Sequence, residues 1–313
     1  MFSSMRIAFV RQIWKGPFHH AFPDLIYFQG RYFVSLRQAE THFSAKSKIL
    51  ILTSTDLVQW AQAAEMALPG HDLRDPKLSI VPDGRLMLNM GSLDINSKGA
   101  LGSFVSFSKT GFTWTSPHSI LETGMWLWRI TWHQGKGYGV SYRFFDPLKK
   151  ELEWIVDLHQ TDDGVSFHKI ASLNVKGHPN EATVRFDDEG SMWILIRRDK
   201  NWKSKAVLLR GRPPYREFHH LPLNSYLGGP NFLEVKGQWI VAGRFVSINP
   251  YGIFERMGIS LLSHGKVGVP LFLPGTGDLG YPGMVWNEER LLVCYYASEE
   301  NLSSIYLAGI EPV

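Results

Sequence analysis

The chain has 313 residues, 44% of them hydrophobic and 20% charged, enough for a core in one large domain or two smaller ones. A formal net charge of +4, with no basic run or lysine/arginine stripe, argues against a nucleic-acid partner. No apolar run reaches membrane-spanning length, and Cys294, the single cysteine, leaves no internal disulfide to form.

The aromatic content (11 Trp, 11 Tyr, 19 Phe), with 29 Gly and 17 Pro, leans towards short strands separated by turns. The opening "MFSSMRIAFVRQIW" carries no long apolar core and no small-residue cleavage site, so a cytoplasmic protein without a signal peptide is expected. After it, one pattern recurs about every fifty residues: an apolar segment, a short Gly or acidic turn, and a second apolar segment. In chain order the copies are "AFPDLIYFQGRYFVSLR", "RDPKLSIVPDGRLMLNM", "WRITWHQGKGYGVSYRF", "NEATVRFDDEGSMWILIRR", "GPNFLEVKGQWIVAGRF" and "GYPGMVWNEERLLVCYY". Their short runs rich in Val, Ile and aromatics read as hairpins. Seven-residue turns follow the first three: "STDLVQW" (54–60), "SKTGFTW" (108–114) and "TDDGVSF" (161–167). Each begins with a hydroxyl residue suited to bonding turn backbone and ends on an aromatic suited to packing beneath it.

Six such units and no convincing helical period predict an all-β fold, a six-bladed β-propeller spanning residues 1–313 as one domain. Five blades plus an irregular segment is the alternative. The strand in "MRIAFVRQIW" is expected to complete the last blade and close the ring.

Counted from the turn glycine, Arg37, Arg197 and Arg244 each lie seven residues on, which predicts one structural position; Arg143 falls one place further. At the opposite end of the hairpins stand Asp24, Asp75, Arg129, Glu181, Asn231 and Tyr281. Guanidinium forks match planar anions, so three converging arginines would hold a carboxylate, with Arg74 and Arg129 adding positive charge. Of Trp126, Trp128 and Trp132, Trp128 is the candidate stacking platform for a sugar. The His-His pairs at 19–20 and 219–220 lack the spacing of dedicated metal sites, and no metal or cofactor is expected.

The layout resembles the sialidase-like propellers (neuraminidase, BNR or Asp-box repeats). In that family a segment E-S-x-V-x-x-x-x-D-G-x-L-L-L-x-x-R carries a glutamate that activates a catalytic tyrosine, and one arginine of a carboxylate-binding triad. "EATVRFDDEGSMWILIR" fits it without a gap, placing Glu181 and Arg197 at those positions. The resemblance implies Tyr281, in "GYPGMVW", as nucleophile and Arg244 as a further triad member. Where the family has R-I-P, this chain has "HHAFPDL"; Arg37 is the candidate replacement. The family's acid/base aspartate has no counterpart in "AETHFSAKSKILIL", so the acid is open among Asp75, His42, Glu40 and Asp24. The function implied is an exo-sialidase-type glycoside hydrolase acting on an acidic sugar or glycan. A lyase acting on uronic acids and a non-catalytic acidic-glycan or protein-binding propeller are the alternatives.

Overall fold

The computed structural model describes residues 4–44, 46–97, 100–143, 154–201, 204–287, 289–299 and 302–313. Phe144 and Glu288, in the third and sixth expected hairpins, lie outside them. All regular structure among the described residues is β-strand, in a propeller arrangement.

After β1 (Met5–Trp14), the first unit holds β2 (His19–Phe28), β3 (Arg31–Ala39), β4 (Lys48–Ser54) and β5 (Ala61–Met66). The second comprises β6 (His71–Ile80), β7 (Leu86–Asp94), β8 (Ala100–Ser108) and β9 (His118–Ile120). The third holds β10 (Trp126–His133), β11 (Lys136–Arg143), β12 (Ile155–Thr161) and β13 (Phe167–Ser172). The fourth holds β14 (Pro179–Phe186), β15 (Met192–Arg198), β16 (Val207–Gly211) and β17 (His219–Pro222). The fifth holds β18 (Gly228–Val235), β19 (Gln238–Asn249), β20 (Gly252–Ser263), β21 (Lys266–Val267) and β22 (Leu271–Phe272). The last holds β23 (Leu279–Trp286), β24 (Leu291–Glu299) and β25 (Leu302–Pro312).

Units two to five each form a separate antiparallel sheet. The first and last do not stand apart as expected. They share an eight-stranded sheet, joined by the single parallel pair His19–Ser303 between β2 and β25. Strand β1 pairs antiparallel with β25 from Met5–Pro312 to Trp14–Ile305, so the N-terminal strand completes the last unit, as the sequence suggests.

The core lies between the units, where the residues on both faces of their strands are buried. Among the described residues, six clusters of buried hydrophobics bridge neighbouring units, five of them spanning two units and the largest reaching from the second to the fourth. The cluster containing Leu25, Leu36, Leu292 and Leu307 joins the last unit to the first. At this closure the backbones come close: a Cβ on Gly283 would sit 2.3 Å from the Leu25 nitrogen, so any larger residue would force β23 and β2 apart. Each fully buried aliphatic or aromatic side chain contributes about 1.5–3 kcal/mol, so the seams supply the main favourable term.

The seven-residue turns are local structures. Ser54 Oγ accepts from the Leu57 amide, and Asp56 Oδ1 from those of Val58 and Gln59. Ser108 and Thr161 accept from Gly111 and Gly164 in the same manner. Trp60, Trp114 and Phe167, the terminal aromatics, pack against three of the core clusters.

Candidate functional site

The innermost strand of every unit breaks register at one place. The shifts fall between Ala21/Asp24, Arg74/Lys77, Leu127/Ile130, Pro179/Ala182, Gly228/Asn231 and Gly280/Gly283. Two residues therefore oppose one, a β-bulge that re-aims a side chain. The first bulge residues are Phe22, Asp75, Trp128, Asn180, Gly229 and Tyr281. In four units proline follows, as Pro23, Pro76, Pro230 and Pro282, and in those four the preceding residue has positive φ: Phe22 59°, Asp75 49°, Gly229 55° and Tyr281 55°. Positive φ is uncommon for non-glycine residues, and a phenylalanine, an aspartate and a tyrosine hold it here at matching places.

These side chains meet. Tyr281 has the Phe22 ring at 5.0 Å and the Trp128 ring at 5.9 Å, centroid to centroid. On a further side lies Gly229, where a Cβ would be 2.8 Å from the tyrosine ring; glycine leaves the phenol its place. The Tyr281 hydroxyl donates to Glu181 Oε1 at 2.5 Å. Glu181 Oε2 accepts from Arg197 Nη1 at 2.9 Å and from the Gly229 amide at 2.8 Å. Arg197 Nη1 also reaches the Tyr281 oxygen at 3.3 Å, and Nη2 pairs with Asp199 at 2.7 Å. Burial and the Glu181 charge push the phenol pKa of Tyr281 well up, so its proton stays on the Tyr281–Glu181 hydrogen bond. Burial alone would lower the Arg197 pKa, but Glu181 overrides it and holds the guanidinium charged.

Asp75 is buried, and its Oδ1 has no hydrogen-bond partner among the described residues. Burial raises its pKa to about 6, with Lys77 pulling against the rise and Glu181 adding to it. Lys77 forms part of the floor: its ammonium lies 4.9 Å from the Trp128 ring centroid and 5.8 Å from that of Tyr281, and burial lowers its pKa to about 8. Nothing in the sequence pattern marks Lys77, because the bulge between Arg74 and Lys77 interrupts the alternation that would tell which side of the strand it takes.

The arginines divide. The structure corrects the expectation of a shared position. Arg37 opposes Ala21 and Arg244 opposes Gly228, each just before a bulge. In the fourth unit the residue at that position is Arg198, opposite Pro179, while Arg197 faces the bulge itself. The hairpin turn there spans residues 187–191, against two residues at 29–30 and 236–237, so counting from glycine misplaces the register by one.

Arg37 is fully buried; its Nε and Nη2 both donate to Asp72 Oδ1, at 2.9 and 2.8 Å. Arg244 donates to the Leu279 carbonyl at 2.7 Å and to Asp278 Oδ1 at 2.6 Å, lies 3.5 Å from Glu255, and has its guanidinium carbon 5.9 Å from the Tyr281 ring centroid. Arg197 and Arg244 thus flank Tyr281, whereas Arg37 is closed on an aspartate of the next unit.

Other expected groups sit elsewhere. Arg74 pairs with Asp72 at 3.3 Å, covers the Phe22 and Phe43 rings and donates to the His42 carbonyl, which ties down the loop after β3. Asp24 and Arg129 form a buried pair at 2.7 Å, with Asp24 also accepting from the Leu78 amide; neither is presented to a ligand. Trp128 is buried beneath Tyr281 and Lys77, a floor residue rather than an exposed platform. Trp126 stacks on Tyr142 within the third unit, and Trp132 bonds Ser79 of the second. Asn231 bonds the Pro282 carbonyl and Arg185, Arg143 is exposed at the end of β11, and Glu40 is exposed. His219 and His220 are exposed on β17, away from these groups.

His42 Nδ1 lies 3.1 Å from Asp278 Oδ2, and His19 Nε2 lies 3.9 Å from the same oxygen. Burial opposes the Asp278 charge, but His42 and Arg244 hold its pKa down to about 2. Burial, then His42 and Arg37, lower that of His19 to about 4. Ligand atoms of His19, His42 and Asp278 lie within 4.8 Å of one another, close enough for a cation. Arg244 already supplies positive charge to this aspartate.

No family model and no curated protein matches the sequence. Solved structures do. A protein of unknown function from Dyadobacter fermentans DSM 18053 superposes with a TM-score of 0.83 at 18% identity, covering 99% of this chain and 100% of that one. Trypanosoma rangeli sialidase in complex with the inhibitor DANA gives 0.71 at 13% identity, over 94% of this chain and 55% of that one. The phage phi92 endosialidase gives 0.74 at 8% identity, over 97% and 69%. The chain therefore spans about half the length of the trypanosomal enzyme. These likenesses establish a sialidase-like β-propeller fold.

Proposed function

We propose that this chain is a glycoside hydrolase of exo-sialidase type acting on a carboxylate-bearing sugar, built as six blades with the eight-stranded sheet counting as two. The carrying observation is the 2.5 Å hydrogen bond from Tyr281 to Glu181, with Arg197 on both partners. A sugar with a carboxylate at its anomeric carbon repels an anionic nucleophile, and a neutral phenol avoids that repulsion. Glu181 Oε1 takes the phenolic proton as the Tyr281 oxygen attacks the anomeric carbon. The glycosidic C–O bond breaks with its electron pair leaving on the aglycone oxygen, which takes a proton from Asp75. Water then attacks the same carbon, giving its proton to Asp75, and the Tyr281 oxygen leaves with the proton held by Glu181.

Asp75 suits the acid role because its pKa of about 6 keeps much of it protonated in mildly acidic solution. Arg197 and Arg244, beside Tyr281, are the arginines that would hold the sugar carboxylate; Arg37 supports the fold through Asp72. The chemistry calls for no cofactor. The test is turnover of a fluorogenic sialoside by the wild type and by Tyr281→Phe and Glu181→Ala. Activity lost in both folded variants supports the reading. Undiminished activity in either, or none in the wild type on any acidic sugar, overturns it.

A further inference from the structure

Three side chains to which the proposed chemistry gives no step meet where the ring closes. His19 opens β2, His42 lies in the loop after β3, and Asp278 immediately precedes β23. The first and last units therefore contribute to one cluster, next to the parallel pair His19–Ser303 that joins them. One ligand atom from each lies within 4.8 Å of the other two. Asp278 Oδ2 is 3.1 Å from His42 Nδ1 and 3.9 Å from His19 Nε2. Bonds of zinc length set tetrahedral ligand atoms about 3.4 Å apart, between those two separations.

His19 is 5% exposed and lacks a partner. Its Nδ1 is buried without a hydrogen bond among the described residues, and its Nε2 stops beyond hydrogen-bond length from Asp278. Buried polar groups are hydrogen-bonded as a rule, so this ring calls for a partner the chain does not supply. His42 is held facing it: its ring packs on those of His19 (5.3 Å), Phe22 (5.5 Å) and Phe43 (4.8 Å), and its carbonyl accepts from Arg74. Asp278 is fixed through its other oxygen, which accepts from Arg244, the outer hydrogen bond a ligating carboxylate commonly has. The neighbouring arginines each have an acid, Arg37 and Arg74 on Asp72, Arg244 on Asp278 and Glu255, so their charge is matched within the protein.

We propose that His19 Nε2, His42 Nδ1 and Asp278 Oδ2 form a site for one divalent cation of the zinc class, which clamps the last unit to the first. Two imidazoles with one carboxylate favour such an ion over magnesium or calcium, which take oxygen ligands. The His42 and Asp278 side chains are 42% and 33% exposed, so a fourth position stays open to water. The adjacent pair at 19–20 gave no sign of it, because His20 is engaged by Gln38 and the Ser303 carbonyl, and the partners of His19 come from another loop and from the far end of the chain. The site stands whatever reaction the centre catalyses.

The test is calorimetric titration of the full chain, first stripped with a chelator, with zinc, magnesium and calcium chlorides. The wild type is expected to bind one zinc ion with a Kd of about 1 μM or below, and neither magnesium nor calcium. Zinc should also raise its thermal midpoint, since a ligand that binds only the folded state stabilises it. His42→Ala is expected to weaken zinc binding about 100-fold or more and to remove the thermal shift. Asp278→Asn, which keeps the shape of the carboxylate, carries the same expectation should the alanine variant not fold. Replacing the exposed pair in the fourth unit, His219→Ala with His220→Ala, is expected to leave zinc binding unchanged. No stoichiometric zinc binding by the wild type, or equal binding of magnesium or calcium, overturns the site. So does undiminished zinc binding in folded His42→Ala or Asp278→Asn, or its loss in the His219/His220 variant.

Discussion

Two places in the ring are built to one plan and differ in what they present. In "DLRDP" and "DLGYP" an aspartate stands three residues before a bulge residue at positive φ, which proline follows. In both, that aspartate receives an arginine from the second strand of the preceding unit: Arg37 on Asp72 and Arg244 on Asp278. One lock presents Asp75, the other Tyr281. They also differ in closure. The side chains of Arg37 and Asp72 are 0% and 5% exposed, those of Arg244 and Asp278 11% and 33%, with His42 sharing the second aspartate. The closed lock is scaffold, whereas the open one stands beside the phenol with charge within reach of a ligand. One backbone device, repeated, thus presents a carboxyl group at one place and a phenol at another, the acid and the nucleophile of the proposed mechanism, and the surroundings decide which arginine is left partly exposed.

The comparison can be broken most forcefully at its chemical end. Tyr281→Phe or Glu181→Ala is expected to lower kcat by roughly 1,000-fold or more, since the proposed mechanism uses both in one proton-coupled step; single-turnover kinetics on a fluorogenic sialoside measure it. Opening the closed lock comes next. Arg37→Ala leaves Asp72 buried with only Arg74 beside it and is expected to cost about 3–5 kcal/mol in urea unfolding. Arg244→Ala, in the more exposed lock, is expected to cost less stability and to raise KM selectively for carboxylate-bearing sugars.

The Asp75 arm is sharpened by pH. Its folded pKa of about 6 lies above the unfolded value of 3.8, so the stabilisation it contributes is complete below about pH 4 and lost as pH rises through 6. Asp75→Asn is therefore expected to gain about 3 kcal/mol on the wild type between pH 4 and pH 8, seen in unfolding midpoints across that range. In the proposed general-acid role, Asp75 is also expected to make activity fall as pH rises through about 6, read from a pH–rate profile. The smallest effect is expected from Lys77→Met. Removing the cation that restrains the Asp75 pKa should move that falling limb to higher pH, whereas a purely structural lysine would lower activity without moving the profile.

Glu181, Arg197 and Tyr281 were legible in the sequence because a short ungapped segment and the start of the last hairpin carry them. The strand order and the role of the N-terminal strand were legible for a related reason, since hairpin patterning is local and repeats. A further signal lay in plain view: proline recurs in four hairpins, at Pro23, Pro76, Pro230 and Pro282, marking the bulges that aim side chains inwards.

What the sequence by itself determined was the material of the ring: the alternation that makes hairpins, the turn chemistry that separates them, and which residue each repeat carries at its bulge. Only the tertiary structure decided which charges face each other. Arg197 and Arg37 look alike when counted from their glycines, yet a longer turn shifts the register by one residue and sends one to Tyr281 and the other to Asp72. Lys77, Asp72 and Asp278 acquire their roles through partners in neighbouring units. Patterning along a chain is local, whereas the pairing of buried charges depends on contacts across the seams between sheets.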